Sequence, residues 1–146
     1  MANLPMFEGH VDGLDINCGC PQGFALEKGY GSALLRDPDH LVNMVKEIVL
    51  NVKYPVSVKL RLQDSVEHTI TIMKRLKEVG VQAFTIHGRY YWQKGDKRGV
   101  ADWDAIKKIK EEVGLDMPII GNGNVGEYHD FDKMIKYTGV NGVMAG

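Results

Sequence analysis

Short apolar stretches of period two alternate along the chain with longer ones of period three to four, and Gly, Pro or Asp marks nearly every switch. Val11, Leu14 and Ile16 predict a first strand over residues 11–17. It runs into Cys18-Gly19-Cys20, and Pro21 stops it because proline cannot donate to a sheet ladder. Gly23, Gly29 and Gly31, with Phe24 and Tyr30, read as a flexible loop. Asp37-Pro38 starts a helix whose stripe is Leu41, Met44, Val45, Ile48, Val49 and Val52. Val56-Ser57-Val58-Lys59-Leu60-Arg61 alternates as a second strand. Asp64-Ser65 can cap a helix over 66–79, which Gly80 closes. Residues 83–87 predict a third strand, followed by an aromatic and basic loop over 88–99. Asp102 caps a helix over 103–113, residues 118–121 predict a fourth strand, about 128–137 a helix, and 140–146 a fifth strand.

Strands that alternate with helices in this way build βαβ units and a parallel sheet. Two architectures fit five strands and four intervening helices: an open doubly wound sheet, or part of a (β/α)8 TIM barrel. A whole barrel takes about 250 residues, so a chain of 146 would supply only some of its strands.

Composition narrows the class. At 44% apolar and 25% charged residues the chain has enough core for one globular domain. A net charge of -1 excludes a global basic field for nonspecific nucleic-acid binding. The apolar runs are too short for a membrane span, so no membrane partner is expected. Cys18 and Cys20, one residue apart, would be strained as a disulfide; free thiols and a cytoplasmic location are expected.

The candidate chemistry collects at strand ends. Cys20 follows the first strand, where a thiol is well placed for exposure, although most free cysteines are small buried hydrophobes. A zinc site from the two cysteines and His10 lacks the usual ligand spacing, so no metal is expected. Lys59 and Arg61 share one face of the second strand, which calls for an anionic or polar ligand unless that strand is a solvated edge. His87 ends the third strand. Gly121-Asn122-Gly123-Asn124 ends the fourth and can bring backbone N–H groups to a phosphate, aided by the following helix end; Gly146 is a second such position. Trp92, Lys94, Lys97 and Arg98 make a local loop suited to stacking on a nucleotide and holding a phosphate.

These residues resemble the tRNA-dihydrouridine synthases, flavin enzymes that reduce uridine in tRNA. The resemblance rests on Asp15-Ile16-Asn17-Cys18-Gly19-Cys20-Pro21-Gln22, Val58-Lys59-Leu60-Arg61, His87-Gly88-Arg89, Ala101-Asp102-Trp103, Gly121-Asn122-Gly123-Asn124 and Gly142-Val143-Met144-Ala145-Gly146, in that order. With Gly29-Tyr30-Gly31, the first run looks most like the eukaryotic branches acting on the tRNA D-loop. The resemblance implies the partial barrel, FMN as cofactor, NADPH (or NADH) as reductant and tRNA as substrate. It implies Cys20 as general acid and Asn17 and Arg61 as substrate-binding residues. Lys59, His87, Asn122, Gly123, Asn124 and Gly146 would bind the cofactor. It also leaves residues 1–11 as a leader or substituted segment ahead of a catalytic part at 12–146. The family's first barrel strands, its C-terminal tRNA-binding domain and the Arg after the last motif have no counterpart, and Tyr90 stands where Thr is usual. The expectation is therefore a fragment or truncated isoform, with a non-catalytic RNA- or partner-binding domain as the alternative to a synthase segment.

Overall fold

The computed structural model describes residues 9–20, 22–23, 27–93, 95 and 99–145. Five strands lie side by side in chain order and all parallel: β1 (Leu14–Cys18), β2 (Val56–Leu62), β3 (Ala83–Tyr90), β4 (Ile119–Asn122) and β5 (Gly142–Met144). Between them run α1 (Pro38–Asn51), α2 (Val66–Glu78), α3 (Trp103–Val113) and α4 (Tyr128–Thr138). Sequential order decides between the two architectures. A doubly wound sheet reverses its order at a switch point, whereas right-handed crossovers that always advance the same way put every helix on one face. Successive helices also pack on one another, α1 on α2, α2 on α3 and α3 on α4. The chain is thus a sector of a (β/α)8 barrel whose sheet is not closed.

The two faces of the sheet differ sharply. On β2, Val56, Val58, Leu60 and Leu62 are buried while Ser57, Lys59 and Arg61 are half-buried. Phe84, Ile86 and Ile119 continue the buried face, joined by Ile70, Met73 and Leu76 of α2 and Ile106 and Ile109 of α3 in one core. Each such side chain contributes about 1.5–3 kcal/mol by leaving water. Parallel register carries the other face across the strands: Asn17 lies beside Lys59, Lys59 beside Thr85, Arg61 beside His87, and His87 beside Asn122. That polar face is the side a closed barrel would turn inward.

The helix starts follow local chemistry. Asp37 accepts from the His40 N–H at 3.0 Å with Pro38 in the first turn, Ser65 from the His68 N–H at 3.0 Å, and Asp102 from the Ala105 N–H at 2.8 Å. Three expectations change. The loop expected over residues 23–31 leads into a 3₁₀ helix over Gly31–Arg36. β3 runs three residues past His87 to Tyr90, because Gly88 lies flat under the start of α3, where the Asp102 N–H donates to its carbonyl at 2.6 Å. β1 and β5 are shorter than expected, at five and three residues.

Candidate active site at the strand ends

Cys20 sits just past β1, half-buried. Its carbonyl accepts from the Ser32 N–H and the Ser32 hydroxyl, both at 3.0 Å. Gly31 (φ +58°) passes so close that a Cβ there would stand 2.6 Å from the Cys20 oxygen and 2.7 Å from its Cβ. Gly31 and Ser32 therefore hold the thiol-bearing turn against the 3₁₀ helix. Cys18, two residues earlier, points into the core, and burial and then the Asp15 charge push its thiol up to about 12. It is a core thiol, and Cys20 is the one at the strand end.

Asn17 is on the polar face, where its Oδ1 accepts from the Gly19 N–H at 2.9 Å, which leaves its amide N–H₂ facing outward as a donor. Lys59 is half-buried beside it and makes no hydrogen bond or ion pair among the described residues. Burial and then the neighbouring Arg61 lower its pKa; Asp15 and Cys20 oppose that shift. Arg61 is lowered by burial and by Arg89, with Cys20 again opposing. Its guanidinium donates to the Gln93 carbonyl at 2.9 Å, which ties it to the turn after β3.

His87 is buried, and its Nδ1 accepts from the Arg89 N–H at 3.1 Å, which places the proton on Nε2. Burial, then Arg61, Lys59 and Arg89, push its pKa down to about 3. The imidazole is therefore neutral at physiological pH, offering one N–H donor amid three cations. The Gly123 backbone (φ +107°) lies on this ring, and a Cβ there would meet His87 Cε1 at 2.9 Å. Asn122 is buried and donates to the Met144 carbonyl at 2.7 Å. Asn124, left-handed at φ +58°, accepts from Arg89 Nη2 at 2.5 Å and the Ala101 N–H at 3.1 Å. The indole N–H of Trp103 donates to the Gly123 carbonyl at 3.0 Å. The Ala101-Asp102-Trp103 run thus buttresses the β4 loop.

The structure brings Asn17, Cys20, Lys59, Arg61, His87, Asn122, Gly123 and Asn124 to one end of one sheet. Gly146, Lys94, Lys97 and Arg98 lie outside the described residues, as do residues 1–8 of the expected leader. The helix end expected to assist a phosphate has occupants of its own: the N–H groups of Gly126 and Glu127 donate to Asp130 at 3.1 and 3.0 Å. Sequence reasoning missed the pair Asp15 and Ser57, whose hydroxyl donates to the carboxylate at 2.7 Å on the same face. The alternation of β2 was the available signal. No helix among the described residues is long and apolar enough to cross a membrane.

Solved structures share this layout. N-acetylneuraminate lyase from Mycoplasma synoviae superposes with a TM-score of 0.64 over 99% of this chain and 45% of that one, at 18% identity, a likeness of fold alone. The fold class is therefore the (β/α)8 barrel. The sequence matches the dihydrouridine synthase family over residues 4–146. A tRNA-dihydrouridine(16/17) synthase from Saccharomyces cerevisiae is 33% identical over 145 residues, 99% of this chain and 34% of the yeast one. A tRNA-dihydrouridine(20a/20b) synthase-like protein from Mus musculus is 36% identical over 138 residues, 92% of this chain and 41% of its own. Both names carry NAD(P)+. The chain belongs to the dihydrouridine synthase family and spans 34% and 41% of the length of these two relatives.

Proposed function

We propose that the chain is a catalytic segment of an FMN-dependent tRNA-dihydrouridine synthase, which reduces uridine to 5,6-dihydrouridine in the tRNA D-loop with NADPH (or NADH) as reductant. The observation that supports this most is Cys20 held at a strand end beside a polar sheet face, in a chain of the dihydrouridine synthase family.

The residues fit FMN. A ligand with a phosphate and a polar ring edge needs a cation, N–H donors and a close backbone approach. Lys59 has no partner among the described residues, His87 offers Nε2–H, and the Gly123 backbone packs directly on the His87 ring. Lys59, His87 and the Asn122-Gly123-Asn124 turn would hold the cofactor, the last through Asn122 and backbone N–H groups, because the Asn124 side chain already grips Arg89 and Ala101. When bound and reduced, FMN would supply the hydride for C6 of the uracil. Cys20 gives its proton to C5, completing the addition of two hydrogens, and regains a proton from solvent. A thiol suits this role because its ordinary pKa lies near working pH. The thiolate left behind falls in the field of Lys59 and Arg61, both electrostatically coupled to Cys20. Asn17 presents its amide N–H₂ to a uracil carbonyl oxygen, and Arg61 stands at the substrate side.

The test is product formation from unmodified tRNA with FMN and NADPH, read by mass spectrometry of the released nucleosides. Wild type forms dihydrouridine; Cys20→Ala loses product while keeping its flavin. Loss of flavin in Cys20→Ala, or equal product from both proteins, overturns the general-acid role. A second reading is a non-catalytic RNA- or partner-binding domain. It is favoured by β1 and β5 each having only one neighbouring strand among the described residues, since unpaired edges invite pairing. RNA binding without product, unaffected by FMN, supports it.

A further inference from the structure

The end of β3 and the turn after it carry three consecutive aromatic residues, Tyr90, Tyr91 and Trp92, and the proposed chemistry uses none of them. Their arrangement is built rather than loose. The Tyr91 N–H donates to the Leu62 carbonyl at 2.9 Å, and its hydroxyl to Asp64 at 3.2 Å, which pins the turn to the end of β2. Gln93 closes it from both sides: its N–H donates to the Tyr90 carbonyl at 3.0 Å and its Oε1 accepts from the Tyr90 N–H at 2.7 Å. Arg61 reaches from the polar sheet face to the Gln93 carbonyl. On this frame the Trp92 indole stacks on Tyr90, centroids 4.6 Å apart and planes 17° from parallel, while Tyr91 meets it edge-on at 5.0 Å and 83°. Trp92 is nevertheless 47% exposed. An indole braced by two tyrosines and still about half exposed is a preordered surface for a flat partner, because its side-chain entropy is already spent.

We infer that Trp92 is a stacking platform for a nucleobase next to the target uridine in single-stranded RNA, a substrate contact that rests on the reading under Proposed function. Charge favours this occupant. Arg61 and Arg89 lie at the same strand ends, and the sequence adds Lys94, Lys97 and Arg98 within six residues of Trp92, in a chain whose net charge is only -1. An aromatic side chain in a turn held by the Arg61 guanidinium suits a base and its phosphate, since every base has a π face and every linkage an anion.

A short single-stranded RNA with a central uridine, and the same RNA made abasic on both sides of that uridine, test this by tryptophan fluorescence and anisotropy. The intact RNA is expected to quench wild type. In Trp92→Phe the quench disappears while affinity stays, because phenylalanine still stacks. In Trp92→Ala binding weakens about five- to a hundredfold, the range of one base–aromatic stack. Equal affinity of Trp92→Ala and wild type, equal affinity for intact and abasic RNA, or no quenching of wild type on binding, overturns the inference. Failures of the two readings are distinguishable. Dihydrouridine formation with unchanged KM in Trp92→Ala removes the platform and leaves the synthase. Trp92-dependent RNA binding without any dihydrouridine leaves the platform and removes the synthase.

Discussion

His87 gives the sharpest quantitative prediction. Its pKa falls from the ordinary 6.5 to about 3 in the fold, through burial first and the charges of Arg61, Lys59 and Arg89 second. Between these two values the unfolded chain binds a proton at this residue and the native chain does not, so acidification favours unfolding. The contribution is absent above pH 6.5 and grows as pH falls toward 3. At pH 5 the gap is about 1.5 pH units at about 1.4 kcal/mol each, or roughly 2 kcal/mol. That is a large share of the roughly 5–15 kcal/mol that holds a typical domain together. His87→Asn removes the titration and keeps a side-chain oxygen able to accept from the Arg89 N–H. Urea unfolding of both proteins at pH 8 and pH 5 isolates the effect, since every other titrating group is common to both. Wild type should lose about 2 kcal/mol more than His87→Asn, a midpoint difference of roughly 1 M. Equal losses, or an NMR titration of His87 near the ordinary 6.5, refute the buried, cation-ringed imidazole.

Two further outcomes follow from contacts made by other residues. Gly31→Ala places a Cβ 2.6 Å from the Cys20 carbonyl oxygen at a left-handed φ of +58°; it should cost about 2–3 kcal/mol and change the rate at which a thiol reagent labels Cys20. Lys110 is buried and donates to the Leu115 and Met117 carbonyls and to Asn141, at 2.9, 2.7 and 3.0 Å. Lys110→Met strands these acceptors and should lower stability by about 1–3 kcal/mol in urea unfolding, with little effect on RNA binding.

Elements with local causes were legible in the sequence. α3 begins and ends where Asp102 and Gly114 place it, because a side-chain cap and a closing glycine at positive φ act within a few residues. The polar face was legible from the alternation of β2, as Lys59 and Arg61 on one side of an internal strand demand a polar ligand. What tertiary contacts decide was not legible. Gly88-Arg89 reads as a turn, yet the glycine is needed flat under Asp102 and Ile106, so β3 continues through it. The 3₁₀ helix over Gly31–Arg36 has no side-chain cap and is tied instead to the Cys20 carbonyl through Ser32. Asn124 reads as part of a phosphate cradle, but its side chain is spent on Arg89 and Ala101, partners 35 and 23 residues away. The positive end of α4 is likewise filled by Asp130, in a capping box whose other half is Glu127 rather than the usual Ser or Thr.

The central claim is that the polar face at these strand ends is a flavin site. Titrating the purified chain with FMN, following visible absorbance and flavin fluorescence, tests it most directly. The account predicts a shifted flavin spectrum, co-elution of FMN with monodisperse protein, and binding weakened about ten- to a hundredfold in Lys59→Met, which loses one charge-assisted hydrogen bond. FMN that stays free in the presence of folded protein, or that binds Lys59→Met as tightly as wild type, would contradict it.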